Sequence, residues 1–268
     1  MDRSAEKQSS FHTGGPGQWT VPGFRMDPLI VTPGLARQLP DETDSSSFEK
    51  FKQDTLKKKQ FIRQLGFASL ALGGLLVFAL FIHHPWPAKI FALIGLLGTA
   101  ILMAFTLRQT SHLIVLGLGK PGRSVYFYGL AALILGMILG MFTRSHFKLT
   151  LLPATLTLVA LIAPLTGAME ELVFRGYLQG MLIPHNRFVA LIYAALAHTV
   201  YKVLVIYSLG RPLEFDFLFL AQWTLLGGLA FGGLRLFSGS IIPPLIAHAV
   251  FDILVYGGSL TVPFWVWS

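Results

Sequence analysis

From about residue 64 onward the chain alternates long apolar runs with short polar breaks. A helix needs about 20 mostly apolar residues to cross a bilayer. Runs of about that length fall at 64–82, 88–107, 125–143, 149–165, 187–209, 216–234 and 241–257. Pro164 and Thr166–Gly167 are expected to break the long run from 149 to 183, which puts residues 167–183 on a separate or kinked helix. The pattern therefore predicts an all-α fold, a polytopic membrane helix bundle with about seven or eight transmembrane helices. Small residues at Gly136-x-x-x-Gly140 and Gly228-x-x-x-Gly232 have the spacing that lets such helices approach closely.

Before residue 64 the pattern changes. Residues 1–47 are rich in Gly, Pro and Ser and hold no sustained period, so they read as a disordered cytoplasmic tail. Residues 48–63 read as an amphipathic basic lead-in. There Phe48, Phe51, Phe61 and Ile62 alternate with Lys57, Lys58 and Lys59, and Ser46 and Glu49 have capping-box spacing. Residues 64–268 read as the membrane-embedded domain. The first 60 residues hold no apolar h-region, which argues against a signal peptide.

Charge sharpens this picture. The formal net charge is +8, yet it is carried past residue 54, where only five acids remain: Glu170, Glu171, Glu214, Asp216 and Asp252. The bases punctuate apolar runs rather than form one face, which is a membrane-flank pattern and speaks against a nucleic-acid partner. Six bases precede the first span, none follows it before Lys89, and Arg108, Lys120 and Arg123 fill the next loop. The amino terminus is therefore expected in the cytoplasm. With no targeting peptide, a prokaryotic plasma membrane is the expected location. No cysteine is present, which removes disulfides, thiolate metal sites and a thiol nucleophile.

Ionisable residues inside membrane helices cost at least about 2.5–3.5 kcal/mol each when central, and they usually face a bundle interior or a wet cavity. Here they are Glu170, Glu171, Arg175, His198, Lys202, His248 and Asp252. At about 100° per residue, Glu171 and Arg175 lie on one face, with the acid on the favourable amino-terminal side. Glu170 points about 140° away from Arg175. The spacing thus divides AMEELVFRGYLQG into a structural ion pair, Glu171–Arg175, and an acid available for chemistry, Glu170. His248 and Asp252 share a face of the last helix, whose start suits Pro243 and Pro244. His198 lies on a third helix. Together these could supply a base, imidazoles and an orienting carboxylate.

The three elements EELVFR, His198 and HAVFD, in that order, resemble the CPBP family of intramembrane proteases, which includes the CAAX prenyl protease 2 and bacteriocin-processing types. The resemblance covers about residues 160–255 and makes the membrane-embedded domain protease-like. It implies hydrolysis of a peptide bond in a membrane protein or lipidated peptide, within or beside the lipid bilayer. Glu170, helped by His198, would activate a water; His248 and Asp252 would polarise the carbonyl or stabilise the oxyanion; Glu171 and Arg175 would hold the motif helix. Two positions depart from the family pattern. The aromatic expected four residues before His198 is Ala194, with Tyr193 beside it, and the last element ends in Asp252 rather than Asn. An ionised Asp cannot donate to an oxyanion, so orienting His248 is its favoured role.

Glu170, His198, His248 and Asp252 would also make a nitrogen/oxygen set for zinc, but no H-E-x-x-H is present, and a metal-free mechanism without cofactor is placed first. Lys202 reads as a pairing or snorkelling residue. His83, His84, His112, His146 and His185 read as interfacial, Glu214 and Asp216 as flanks of a span entrance, and FDFLFLAQW as lipid-facing or core surface. A non-catalytic membrane scaffold or immunity protein is the alternative function. A transporter is disfavoured because no inverted repeat is evident.

Overall fold

The computed structural model describes residues 45–209 and 216–258. The expected tail falls outside these residues as far as 44; Ser45 already opens the first helix. Glu214 and the side chain of Ser46 also lie outside them.

Every regular element described is helical: α1 (Ser45–Phe81), α2 (Lys89–Arg108), α3 (His112–Leu116), α4 (Arg123–His146), α5 (Leu158–Glu171), a π-helical segment (Leu172–Leu178), α6 (Gln179–Leu182), α7 (Arg187–Tyr207), α8 (Phe217–Ser238) and α9 (Ile242–Tyr256). Five of these, α1, α2, α4, α7 and α8, are long and apolar enough to cross a membrane. α9 is apolar but has only 15 residues. The pattern's count of seven or eight spans is therefore not reached among the described residues, for two reasons. No helix starts near 149: the chain stays irregular through Pro153 until Thr157 caps α5 by accepting from the Ala160 N–H. And the expected break at Pro164 and Gly167 is absent, since helix runs on from Leu158 through Leu182 with Pro164 inside it and only the π-helical segment interrupting its pitch.

The lead-in and first span form one 37-residue helix, about 55 Å long at 1.5 Å per residue. Its first part exposes Phe48, Phe51, Leu56 and Ile62. Its second part buries Ala68, Ala71, Leu75 and Ala79 against Phe174, Tyr177, Leu178 and Met181 of the motif helix and against Ala197, Tyr201 and Val205 of α7. Tyr193 serves this seam, its hydroxyl 3.0 Å from Ser69 Oγ. Thr106 of α2 spends its own proton on backbone carbonyls, so the Tyr177 hydroxyl donates to Thr106 Oγ1 at 2.9 Å.

Glycines set the closest helix approaches. A Cβ at Gly136 would strike the Ala247 carbonyl, and one at Gly140 would lie 2.9 Å from Leu254 Cβ, so the GxxxG of α4 seats α9. Gly228 and Gly232 do the same for α8 against α7, where a Cβ would meet Ala195 Cα at 3.1 Å and Leu191 Cδ1 at 2.5 Å. Arg144, 3% exposed, fixes the far end of α9 by donating from one nitrogen to the Leu254 and Gly257 carbonyls, both at 2.8 Å. A cation at a helix C-terminus satisfies carbonyls that the helix leaves open. Asp216 is the N-cap of α8, accepting from the Phe219 N–H at 2.8 Å. Phe219 and Trp223 turn inward rather than to lipid: both line a cavity between α4, α7, α8 and α9, and Trp223 donates to Thr143 Oγ1 at 2.7 Å.

Candidate active site

Three helical elements bring six ionisable side chains together beside that cavity: Glu170, Glu171 and Arg175 from the motif helix, His198 from α7, and His248 and Asp252 from α9. All are 7% exposed or less. The π-helical segment begins directly after Glu171 and contains Arg175. Such widened turns recur at functional sites because they re-aim side chains that a regular helix would stack.

Glu171 and Arg175 pair at 3.0 Å with both side chains fully buried. Arg175 also reaches His198 Nδ1 at 3.3 Å. A guanidinium only donates, so Nδ1 must accept and the His198 proton sits on Nε2. Nε2–H then donates to Glu170 Oε2 at 3.1 Å. One arginine thereby fixes the structural acid directly and the available acid through an imidazole. Arg175 also lies 5.7 Å above the Phe231 ring, a further favourable contact for a buried cation.

His248 departs from the expected arrangement. Its Nδ1–H donates to Glu171 Oε1 at 2.8 Å, so Glu171, not Asp252, orients it. Its Nε2 faces two carboxylates without a direct hydrogen bond, Glu170 Oε2 at 3.9 Å and Asp252 Oδ1 at 3.8 Å. The aromatic against His198 is Phe174, with ring centroids 4.6 Å apart, while Tyr193 points to α1. Phe231 takes the matching place beside His248 at 5.4 Å.

Two contributors carried weaker sequence signals. Lys202, one turn after His198, ion-pairs with Glu170 Oε1, which makes it a pairing residue of the site itself. Its i,i+4 spacing from His198 was the visible clue. Gly167 is the second. A Cβ there would lie 2.5 Å from Asp252 Oδ2 and 3.0 Å from His248 Cδ2, so only glycine lets α5 come this close to the polar face of α9.

Residues 150–254 match the family model described as Rce1-like, type II CAAX prenyl endopeptidase Rce1-like. They form a domain of this family. Comparison with curated proteins and with solved structures gives no match. The Rce1-like domain thus spans the motif helix, α7, α8 and nearly all of α9, the elements that build the site, and it sits in an integral membrane protein.

The cavity beside the site measures about 120 Å³. Its polar end is formed by Arg175, His198, Lys202, His248 and Asp252, and the rest is mostly aromatic and aliphatic. Glu170 is not in the wall, although its partners His198, Lys202 and His248 are. Among the described residues, no group of three or more His, Asp or Glu side chains is arranged to hold a metal ion. The nitrogen/oxygen set is present but directed elsewhere: His198 Nδ1 is held by Arg175, His198 Nε2 carries a proton, and His248 Nδ1 donates to Glu171. Of the four imidazole nitrogens, only His248 Nε2 has a lone pair to offer in the neutral tautomer.

Proposed function

We propose that the Rce1-like domain is an intramembrane endopeptidase in which Glu170 activates water for attack on a peptide bond of a membrane-associated protein or lipidated peptide. The observation that carries this reading is the division between the two adjacent acids. Glu171 is committed to the buried Arg175 and to His248, whereas Glu170 is held by the His198 imidazole and by the partly exposed ammonium of Lys202.

Glu170 takes one proton from water as the hydroxide oxygen bonds to the carbonyl carbon. The C–N bond then breaks, and the same proton passes to the departing amine nitrogen. His198 supplies no base, since its Nε2–H is spent orienting Glu170; it is a positioning residue. His248, with Nδ1–H anchored on Glu171, presents Nε2 toward the reacting space. Protonated there, it becomes the donor that stabilises the developing oxyanion. Asp252 Oδ1 faces the same nitrogen at 3.8 Å. Such preorganised groups are worth most where water is excluded.

In this reading seven segments lie in the bilayer: the five long helices, the rod from α5 through α6, and α9. Residues 64 to 268 act as one protease-like domain behind a cytoplasmic tail and basic lead-in, with the amino terminus in the cytoplasm of a prokaryotic cell. Metal-free chemistry is proposed because three of the four imidazole nitrogens are engaged with Arg175, Glu170 and Glu171.

The test compares membrane-fraction proteins by terminal-peptide mass spectrometry in cells carrying the native protein or Glu170→Ala at matched levels. Specific cleaved termini should vanish with Glu170→Ala. Identical profiles from two folded, equally abundant proteins would instead favour a membrane scaffold.

A further inference from the structure

Glu170 presents a difficulty that the rest of the site does not. Both of its oxygens are occupied, Oε2 by His198 and Oε1 by Lys202, and its carboxylate is absent from the cavity wall. Oε1 is buried and faces Lys202, which is itself in the wall, so a cavity water reaches that oxygen when Lys202 moves aside. His198 is locked by Arg175 on its other nitrogen and by Phe174 on its face. Lys202 is the movable one. Its side chain is 22% exposed and lines the cavity, and lysine is a point charge on a flexible stem.

The two cations of the wall are not equivalent. Arg175 is fully buried and bound to Glu171 and His198. Lys202 is therefore the cation an incoming group can recruit. Once it leaves Glu170 it needs another anion, because an unpaired ammonium in a largely apolar cavity is costly. Much of the remaining wall, including Leu139, Phe147, Phe219, Trp223 and Phe251, accepts apolar groups.

We propose that the cavity receives an apolar peptide bearing a carboxylate, and that Lys202 passes from Glu170 to that carboxylate as the peptide enters. The ligand's acid group then has two effects. It anchors the peptide, and it uncovers Glu170, so that the base is free only when a carboxylate-bearing ligand is in place. The carboxylate is either the peptide's C-terminus or an acidic side chain near the scissile bond. The inference rests on the endopeptidase reading in calling Glu170 the base and the ligand a substrate; the passage of Lys202 to the ligand's carboxylate does not depend on it.

The experiment measures binding of three acetylated apolar tetrapeptides to the full-length protein in nanodiscs. One has a free C-terminus, one is the amide, and one is the amide with an internal Glu. The native protein should bind at least one acid-bearing peptide about tenfold or more tighter than the neutral amide, as expected for a charge-assisted hydrogen bond. The tighter of the two identifies the carboxylate's source. Lys202→Gln should bind all three alike, and Lys202→Arg should keep the preference. Equal binding of all three by the native protein, no binding of any, or a preference surviving in Lys202→Gln would overturn the proposal. Cleavage of the same peptides is scored separately. Preference without cleavage supports this inference while sinking the endopeptidase reading. Cleavage without preference does the reverse.

Discussion

Gly167→Ala tests the site's geometry with a single methyl group. The new Cβ would lie 2.5 Å from Asp252 Oδ2 and 3.0 and 3.1 Å from two atoms of the His248 ring. To reach an ordinary contact of 3.4 Å, the carboxylate must move by about 0.9 Å and the ring by about 0.4 Å. The carboxylate can swing; the ring is tethered to Glu171 at 2.8 Å. Overpacking of this kind costs about 1–3 kcal/mol. Replacing a helical glycine by alanine returns about 1 kcal/mol. The net stability change is then a loss of about 0–2 kcal/mol, too little to unfold the bundle. Displacing a reacting group by about 1 Å, however, costs on the order of 100-fold in rate. Gly167→Ala should therefore fold, with a melting temperature in detergent close to native, and lose about two orders of magnitude in the cleavage rate of whichever terminus depends on Glu170. Gly98→Ala is the control: its Cβ meets nothing within 4 Å on α2, so stability should rise slightly at unchanged rate. A folded Gly167→Ala protein cleaving at the native rate would show that the close approach of α5 to His248 and Asp252 is not the reacting arrangement.

Arg175→Met should be far more damaging to folding than to any one chemical step. It leaves Glu171 as a buried carboxylate without its cation and frees His198 Nδ1, so a loss of about 3–5 kcal/mol is expected, read as poor accumulation or a sharply lowered unfolding temperature. His185, outside the spans, donates to Gln64 Oε1 at 2.6 Å and joins the loop before α7 to α1. Its partial burial lowers its pKa below the usual 6.5. The folded state thus binds that proton less readily than the unfolded one, so stability should be full above about pH 6.5 and fall as pH drops through and below it. His185→Gln should flatten that acid limb in a thermal-unfolding series; an unchanged limb would assign it to another group. Chelator treatment should leave cleavage intact, and activity lost to a chelator and restored by zinc would overturn the metal-free mechanism.

Much of the bundle can be read from hydropathy, because α1, α2, α4, α7 and α8 are each apolar runs bounded by charged or polar residues. The region around 149–183 cannot be read that way. Its apolar run looks continuous, but whether helix starts at 149 or 158 depends on Pro153 and on the single Thr157 cap, and nothing local announces a π-helical turn at Leu172. Pro164 is tolerated inside α5, where Ala160 and Ala163 are fully packed against Val255 and Tyr256 of α9. The site divides similarly. The Glu171–Arg175 pair follows from spacing within one helix. That His248 belongs to Glu171 rather than to Asp252, one turn away on its own helix, is decided by how α9 rotates against α5. That rotation is set by Gly136, Gly140 and Gly167, whose contacts lie more than 80 residues away in sequence.

In the proposed reading α9 crosses the bilayer, and its shortness then bears on the supply of water. Fifteen residues make about 22 Å of helix, against about 30 Å of hydrocarbon. The shortfall of about 8 Å must be met by local thinning of the bilayer or by a polar vestibule at one end of the helix. Either brings the aqueous phase closer to His248 and Asp252 than a full-length span would allow. A hydrolase set in lipid consumes one water per turnover, and a helix too short for its membrane gives that water a shorter way in.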